Sequence, residues 1–138
     1  MSVGRICVRE VDLAAAGESI HDAACRMAER QVGTLVVLDD AKRPIGVLTD
    51  RDLVQRVLAR GRDPLRTTVG EVMTPDPRLI GEESPIEVAL TAMRTGGIRR
   101  LPVVNRAGEL VGILSLADVL ALLAEEFRSI GRIVERRK

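Results

Sequence analysis

Two stretches of the chain place a hydroxyl and, three residues later, a carboxylate at the end of an apolar run. They are Gly46-Val47-Leu48-Thr49-Asp50-Arg51-Asp52 and Gly112-Ile113-Leu114-Ser115-Leu116-Ala117-Asp118. One chemistry open to this spacing is purely structural. The hydroxyl caps a helix and the acid reaches back to the cap's own N–H, which stabilises by ~1 kcal/mol. The other is ligand binding. A helix N-terminus offers unpaired N–H groups and the positive end of its dipole to a phosphate, and the hydroxyl can donate to the same group. An aspartate on the first turn can accept two hydrogen bonds from a ribose diol. Gly46 and Gly112 would let a ligand ring or a neighbouring backbone come close to the strand. Both readings stand on these residues.

Other chemistries find little support. There is no glycine-rich dinucleotide loop, P-loop or nucleophile elbow, and none of the twenty carboxylates stands out as an acid pair. The single histidine, His21, has no motif around it and reads as a solvated helix residue. Cys7 and Cys25 form no CxxC pair and no metal-ligand cluster, so they read as reduced, packed thiols. Enzymatic activity and a bound metal are not expected. A net charge of +1 supplies no global field for nucleic acid or an anionic membrane. With one Phe and no Tyr or Trp there is no platform for stacking bases. The basic end from Arg132 to Lys138 reads as a solvated helix terminus, where cations are favoured, before it reads as a nucleic-acid site. No apolar run is long enough to cross a membrane, and Arg5, Arg9, Glu10 and Asp12 break any signal peptide. A cytoplasmic protein is expected.

The elements that hold the two motifs come in two copies. At an offset of 66 residues, the distance from Asp52 to Asp118, the chain matches itself without a gap from Val3 to Leu58. Leu13 falls on Leu79, Met27 on Met93, Leu35 on Leu101, Gly46 on Gly112 and Leu48 on Leu114. Ile6/Val72, Val32/Ile98 and Thr49/Ser115 are conservative pairs. Each copy reads as strand, helix, strand, strand, helix. In the first, an extended Val8–Leu13 leads to a helix over Ser19–Arg30 burying Ile20, Ala23, Ala24, Met27 and Ala28. Strands Thr34–Leu38 and Pro44–Leu48 form a hairpin around Asp39–Arg43. A helix over Asp50–Arg60 buries Leu53, Val54, Val57 and Leu58, and Arg62–Thr68 links to the second copy.

In that copy Ser84 is the expected cap, Pro85 the first helical residue, and Gly96-Gly97 the stop. Strands Leu101–Val104 and Leu110–Leu114 flank a turn at Asn105–Glu109. A last helix from near Leu116 carries Val119, Leu120, Leu123, Phe127 and Ile130 on one side. The units span 3–66 and 69–127, with 128–138 a basic helix end or tail. Each is too small to bury a sufficient core alone. An α/β (α+β) domain of two β-α-β-β-α repeats is therefore expected, packed through their sheets about a pseudo-twofold axis.

The duplicated unit resembles a pair of cystathionine β-synthase (CBS) domains. The residues that carry this are Gly46–Leu53, Gly112–Val119, Leu101-Pro102-Val103-Val104 and Val69-Gly70-Glu71-Val72-Met73-Thr74-Pro75. The resemblance implies two clefts for adenosine-containing ligands: AMP, ADP, ATP or S-adenosylmethionine. It assigns ribose contacts to Asp52 and Asp118 and phosphate-side hydroxyls to Thr49 and Ser115. The base would lie near Leu13, Val32, Ile80, Ile98 and Pro102. Arg99 and Arg100 would reach phosphate in the second copy, where the first has Gly33-Thr34 and only Arg51 nearby. The Asp118 cleft is accordingly expected to suit a phosphate better than the Asp52 cleft.

The resulting expectation is a free-standing regulatory module that senses adenine nucleotides, needs no cofactor, forms a homodimer and signals to an unknown partner protein. The rival is an interaction module whose clefts stay empty and whose motifs only cap helices.

Overall fold

The computed structural model describes residues 1–136. Each repeat builds its sheet from the hairpin that the apolar runs dictate. Strands β2 (Thr34–Leu38) and β3 (Pro44–Thr49) pair antiparallel, with Thr34 opposite Thr49. β6 (Arg100–Val104) and β7 (Leu110–Ser115) do the same, with Arg100 opposite Ser115. The short strands β1 (Leu13–Ala14) and β5 (Ile80–Gly81) add parallel to β2 and β6. Helices α2 (Ile20–Arg30) and α5 (Ile86–Gly96) cover one face of each sheet. Ile20, Ala23 and Met27 meet Leu35, Val37 and Leu48 in the first core; Ile86, Ala89 and Met93 meet Leu101, Val103 and Leu114 in the second. Val36 is fully buried yet belongs to neither core, which sets it on the sheet face turned toward the other repeat. The hairpin ends also touch, where the Leu110 N–H donates to the Lys42 carbonyl at 3.0 Å. The α/β fold of two repeats packed through their sheets is the one expected.

Several local details differ from the sequence reading. The strand expected over Val8–Leu13 begins only at Leu13; Val8 is instead an isolated bridge to the other repeat, and residues 3–6 before it coil into a helical turn, α1 (Val3–Ile6). Its equivalent is α4 (Val69–Val72), followed by β4 (Thr74–Pro75), which adds antiparallel to β3. These turns pack across the repeat boundary. Val3 lies in the second core, and the N–H groups of Val3 and Gly4 donate to the carbonyls of Ser84 and Glu82, both at 2.8 Å. Val69 and Val72 lie in the first core, with Val69 and Gly70 donating to Glu18 and Ala16. Each repeat thus lends its opening turn to the other. Val8 in turn bridges Ile113 of β7.

Capping and helix faces bring further corrections. Pro85, not Ser84, is the N-cap of α5; Ser84 stands outside the helix, its carbonyl taken by Val3. Ala28 is exposed because α2 turns only Ile20, Ala23 and Met27 fully inward. Helix α3 makes one α-turn over Asp50–Asp52 and widens into a π-helix over Leu53–Leu58. That wider turn leaves Val57 buried and Leu53 against the core, and swings Val54 and Leu58 out to 56% and 70% exposure. Helix α6 (Leu116–Glu135) buries Val119 and leaves Leu120, Leu123, Phe127 and Ile130 exposed. Of the basic end, Arg137 and Lys138 lie outside the described residues.

Candidate functional site

Both repeated motifs close as capping boxes. Thr49 Oγ1 accepts from the Asp52 N–H at 3.2 Å while Asp52 Oδ2 accepts from the Thr49 N–H at 2.9 Å. Ser115 and Asp118 repeat this at 3.1 and 3.0 Å. The cap reading is therefore realised in full, and the pairing also aims each carboxylate. Asp52 is 9% exposed overall, with Arg56 Nε at 3.6 Å from its Oδ1. An ionised carboxylate has about four acceptor positions, so these contacts leave acceptor capacity on the same group.

Thr49 and Asp52 border a cleft of about 380 Å³ between the two repeats. Thr34, Val47 and Thr74 line it from the first sheet. Asp76, Pro77 and Arg78 come from the β4–β5 connection near the start of the second repeat, and Gly96, Ile98, Arg99, Arg100 and Pro102 from the end of α5 and the start of β6. Arg78, Arg99 and Arg100 are exposed, and none takes part in the ion pairs found among the described residues. Three guanidinium groups without a carboxylate partner border one concave site. A half-buried hydroxyl and the buried carboxylate it caps stand at the same site, together with the apolar side chains of Val47, Ile98 and Pro102. That arrangement suits an anion joined to a polyol and an apolar ring.

The structure regroups the residues expected here. Arg99, Arg100 and Pro102 line the cleft of Asp52, whereas they were expected beside Asp118. The reason is the way the two sheets face each other, which sets the entry of β6 opposite the exit of β3. At the repeat-equivalent positions the mirror location has Gly33 and Thr34 in place of Arg99 and Arg100, and Asp12 in place of Arg78. Asp12 Oδ1 is already held by Arg30 Nε at 2.9 Å. Both arginines also adjoin the second box, since Arg100 stands opposite Ser115 and the Leu116 N–H donates to the Arg99 carbonyl at 2.8 Å.

Of the apolar residues expected around the base, Ile98 and Pro102 line the cleft. Ile80 is sunk in the second core, Val32 packs on the first, and Leu13 is 41% exposed elsewhere. Arg51 is exposed beside Asp50 and is not part of the lining. The sequence reading missed Thr34, Thr74, Asp76 and Arg78. For the last three the signal was the Thr74-Pro75-Asp76-Pro77-Arg78 run near the start of the second repeat, stiff and ending in a cation.

The two motif glycines are filled from within the chain. A Cβ on Gly112 would meet Cys7 Sγ and the Val8 carbonyl at 2.8 Å, and one on Gly46 would strike Met73. Partial burial pushes the Cys7 thiol up from its ordinary pKa. Cys7 and Cys25 are both free thiols, and the described residues hold no cluster of metal-binding side chains. No helix among them is long and apolar enough to cross a membrane.

This duplicated fold, with a hydroxyl–aspartate box at the exit of each hairpin, defines a tandem CBS pair. The CBS domain pattern matches residues 3–59 and again 69–125, and the chain belongs to the CBS-domain family. Among curated relatives, an uncharacterized protein of Methanopyrus kandleri is 32% identical over 120 residues, covering 87% of this chain and 61% of that protein. The chain thus spans under two thirds of that relative. Hypoxic response protein 1 of Mycobacterium tuberculosis is 35% identical over 125 residues, covering 91% of this chain and 82% of that one. A CBS domain protein of Pyrobaculum aerophilum, solved in complex with AMP, superposes with a TM-score of 0.80 at 30% identity, covering 91% of this chain and 97% of that one.

Proposed function

We propose that the cleft bordered by Thr49 and Asp52 binds an adenine ribonucleotide and that the chain acts as a regulatory module rather than an enzyme. The observation that carries this reading is the set of three free guanidinium groups, Arg78, Arg99 and Arg100, around the Thr49–Asp52 pair. In it Asp52 accepts from the ribose diol, Thr49 and the arginines hold phosphate, and Ile98 and Pro102 border the base. The AMP complex of the similar Pyrobaculum protein supports the same ligand class, of which ADP, ATP and S-adenosylmethionine are the other members.

Regulation would follow from where the contacts sit. Asp52 belongs to the first repeat and Arg78, Arg99 and Arg100 to the second, so one ligand would contact both repeats at once. A ligand changes that balance only through its different affinity for the two arrangements. The signal would pass, in the cytoplasm, to a partner protein or through a homodimer of the chain.

A rival reading keeps the clefts empty and treats the chain as an interaction module. What favours it is that both carboxylates are already engaged in closed capping boxes. Calorimetric titration decides between them. AMP is expected to bind, with 2′-deoxy-AMP weaker by roughly tenfold for the lost diol contact. Absence of heat with every adenine ribonucleotide overturns the nucleotide reading in favour of the rival.

A further inference from the structure

Asp52 has a partner that its twin lacks. Arg56 Nε lies 3.6 Å from Asp52 Oδ1, and Nη1 of the same guanidinium donates to the Val72 carbonyl at 2.8 Å. Val72 is buried and closes α4, where the last carbonyls of a helix have no partner within it. The repeat-equivalent positions hold Leu122 and Ile6, which both pack on the second core. Asp118 takes part in no ion pair among the described residues. Arg56 also stands on the π-helix that begins directly after Asp52, whereas residues 119–124 of α6 are ordinary α-helix. Turns of the wider kind are rare and concentrate at functional sites. This one belongs to the repeat whose aspartate lines the cleft.

Two walls of that cleft meet on one guanidinium. On one side is Asp52, closed in its box with Thr49. On the other is the chain that leaves Val72. Two residues on, Thr74 pairs with Val47 and lines the cleft; the Asp76 N–H then donates to the Ile45 carbonyl at 3.1 Å, and Pro77 and Arg78 follow in the lining. Val72 already belongs to the second repeat, so the bond from Arg56 crosses from one repeat to the other. A guanidinium carries its donors in a fixed planar fork and holds two acceptors at a set separation, which an ammonium on a flexible stem does not. Arg56 itself is not part of the lining.

We infer that Arg56 is a positioning residue for the nucleotide: it fixes Asp52, the ribose acceptor, relative to the wall that ends in Arg78. This rests on the nucleotide reading of the cleft and adds how its choice of ribose is set. Without the guanidinium, Asp52 keeps its box with Thr49 but loses its hold on the opposite wall, so the diol contact weakens before the others.

Calorimetric titration of the full chain with AMP and 2′-deoxy-AMP tests it. Wild type is expected to prefer AMP by roughly tenfold. Arg56→Met keeps an aliphatic stem and removes the donors. It should weaken AMP by roughly tenfold and 2′-deoxy-AMP by no more than about twofold, so that most of the preference disappears. Arg56→Lys reaches one acceptor at a time and should fall between the two; it carries the same comparison if Arg56→Met does not fold. An arginine that only supports the fold would weaken both ligands alike or neither, and either result overturns the positioning role. The link to the far wall is read with Arg78→Met. The double variant should lose less AMP affinity than the product of the two single losses, by roughly threefold or more. Losses that simply multiply overturn that link. A wild-type chain that binds neither ligand overturns the nucleotide reading itself.

Discussion

Asp52 has one oxygen on the Thr49 N–H and the other near Arg56, so its charge is held in place before any ligand arrives. A pre-aimed acceptor gives up little freedom on binding, the condition for a polar contact to add affinity. Asp118 is held in the same way, with Arg100 opposite Ser115, but the equivalents of Arg99 and Arg78 are Gly33 and an Asp12 already paired with Arg30. The two residues should therefore respond differently to the same change. Asp52→Asn keeps an oxygen for the Thr49 N–H and removes the charge. It should weaken AMP by roughly 10- to 100-fold in calorimetry while moving the ligand-free melting temperature little. Asp118→Asn should leave AMP affinity within about twofold. A larger loss at Asp118 than at Asp52 would return the phosphate to the other cleft.

The repeats also serve as each other's controls at the level of the helix. α2 and α5 both end on a left-handed residue, Gln31 at φ 55° and Gly97 at φ 62°, at equivalent positions. A side chain in that conformation costs ~1 kcal/mol that glycine avoids. Gln31→Gly should raise the midpoint of chemical unfolding, and Gly97→Ala should lower it by a similar amount. Features of this kind were legible in the sequence, because caps, stops and hairpins are set by residues a few positions apart. The Thr49/Asp52 and Ser115/Asp118 boxes and both hairpins lie where the residues put them. The faces of α3 were not legible, since nothing in Leu53–Leu58 announces a π-helix, and a small change of pitch is enough to turn Val54 and Leu58 outward. Nor was the company Arg99 and Arg100 keep. An internal repeat tells which residues are equivalent but not how one sheet lies over the other, and that alone decides which arginine meets which aspartate.

Across the whole molecule, the exchange of α1 and α4 makes each core depend on the far half of the chain. Removing residues 1–9 deletes Val3 from the second core and, with it, the bonds to Ser84, Glu82 and Ile113. Differential scanning calorimetry of a chain starting at Glu10 should show the loss as a marked fall in melting temperature. A buried aliphatic side chain accounts for roughly 2–4 kcal/mol of it. An unchanged transition would mean that the opening turn is only draped over the surface. The exchange bears equally on how such a chain could have arisen. A solitary unit of this kind has a hole in its core where α1 or α4 belongs, and it can fill that hole only with the arm of a second unit. Before duplication, stability would have been a bimolecular property, rising and falling with the amount of protein in the cell. Joining the two units on one polypeptide replaces that dependence with a fixed local concentration set by the linker. The duplicated halves then no longer have to be identical, and Arg78 and Arg99 of one can stand where the other has Asp12 and Gly33.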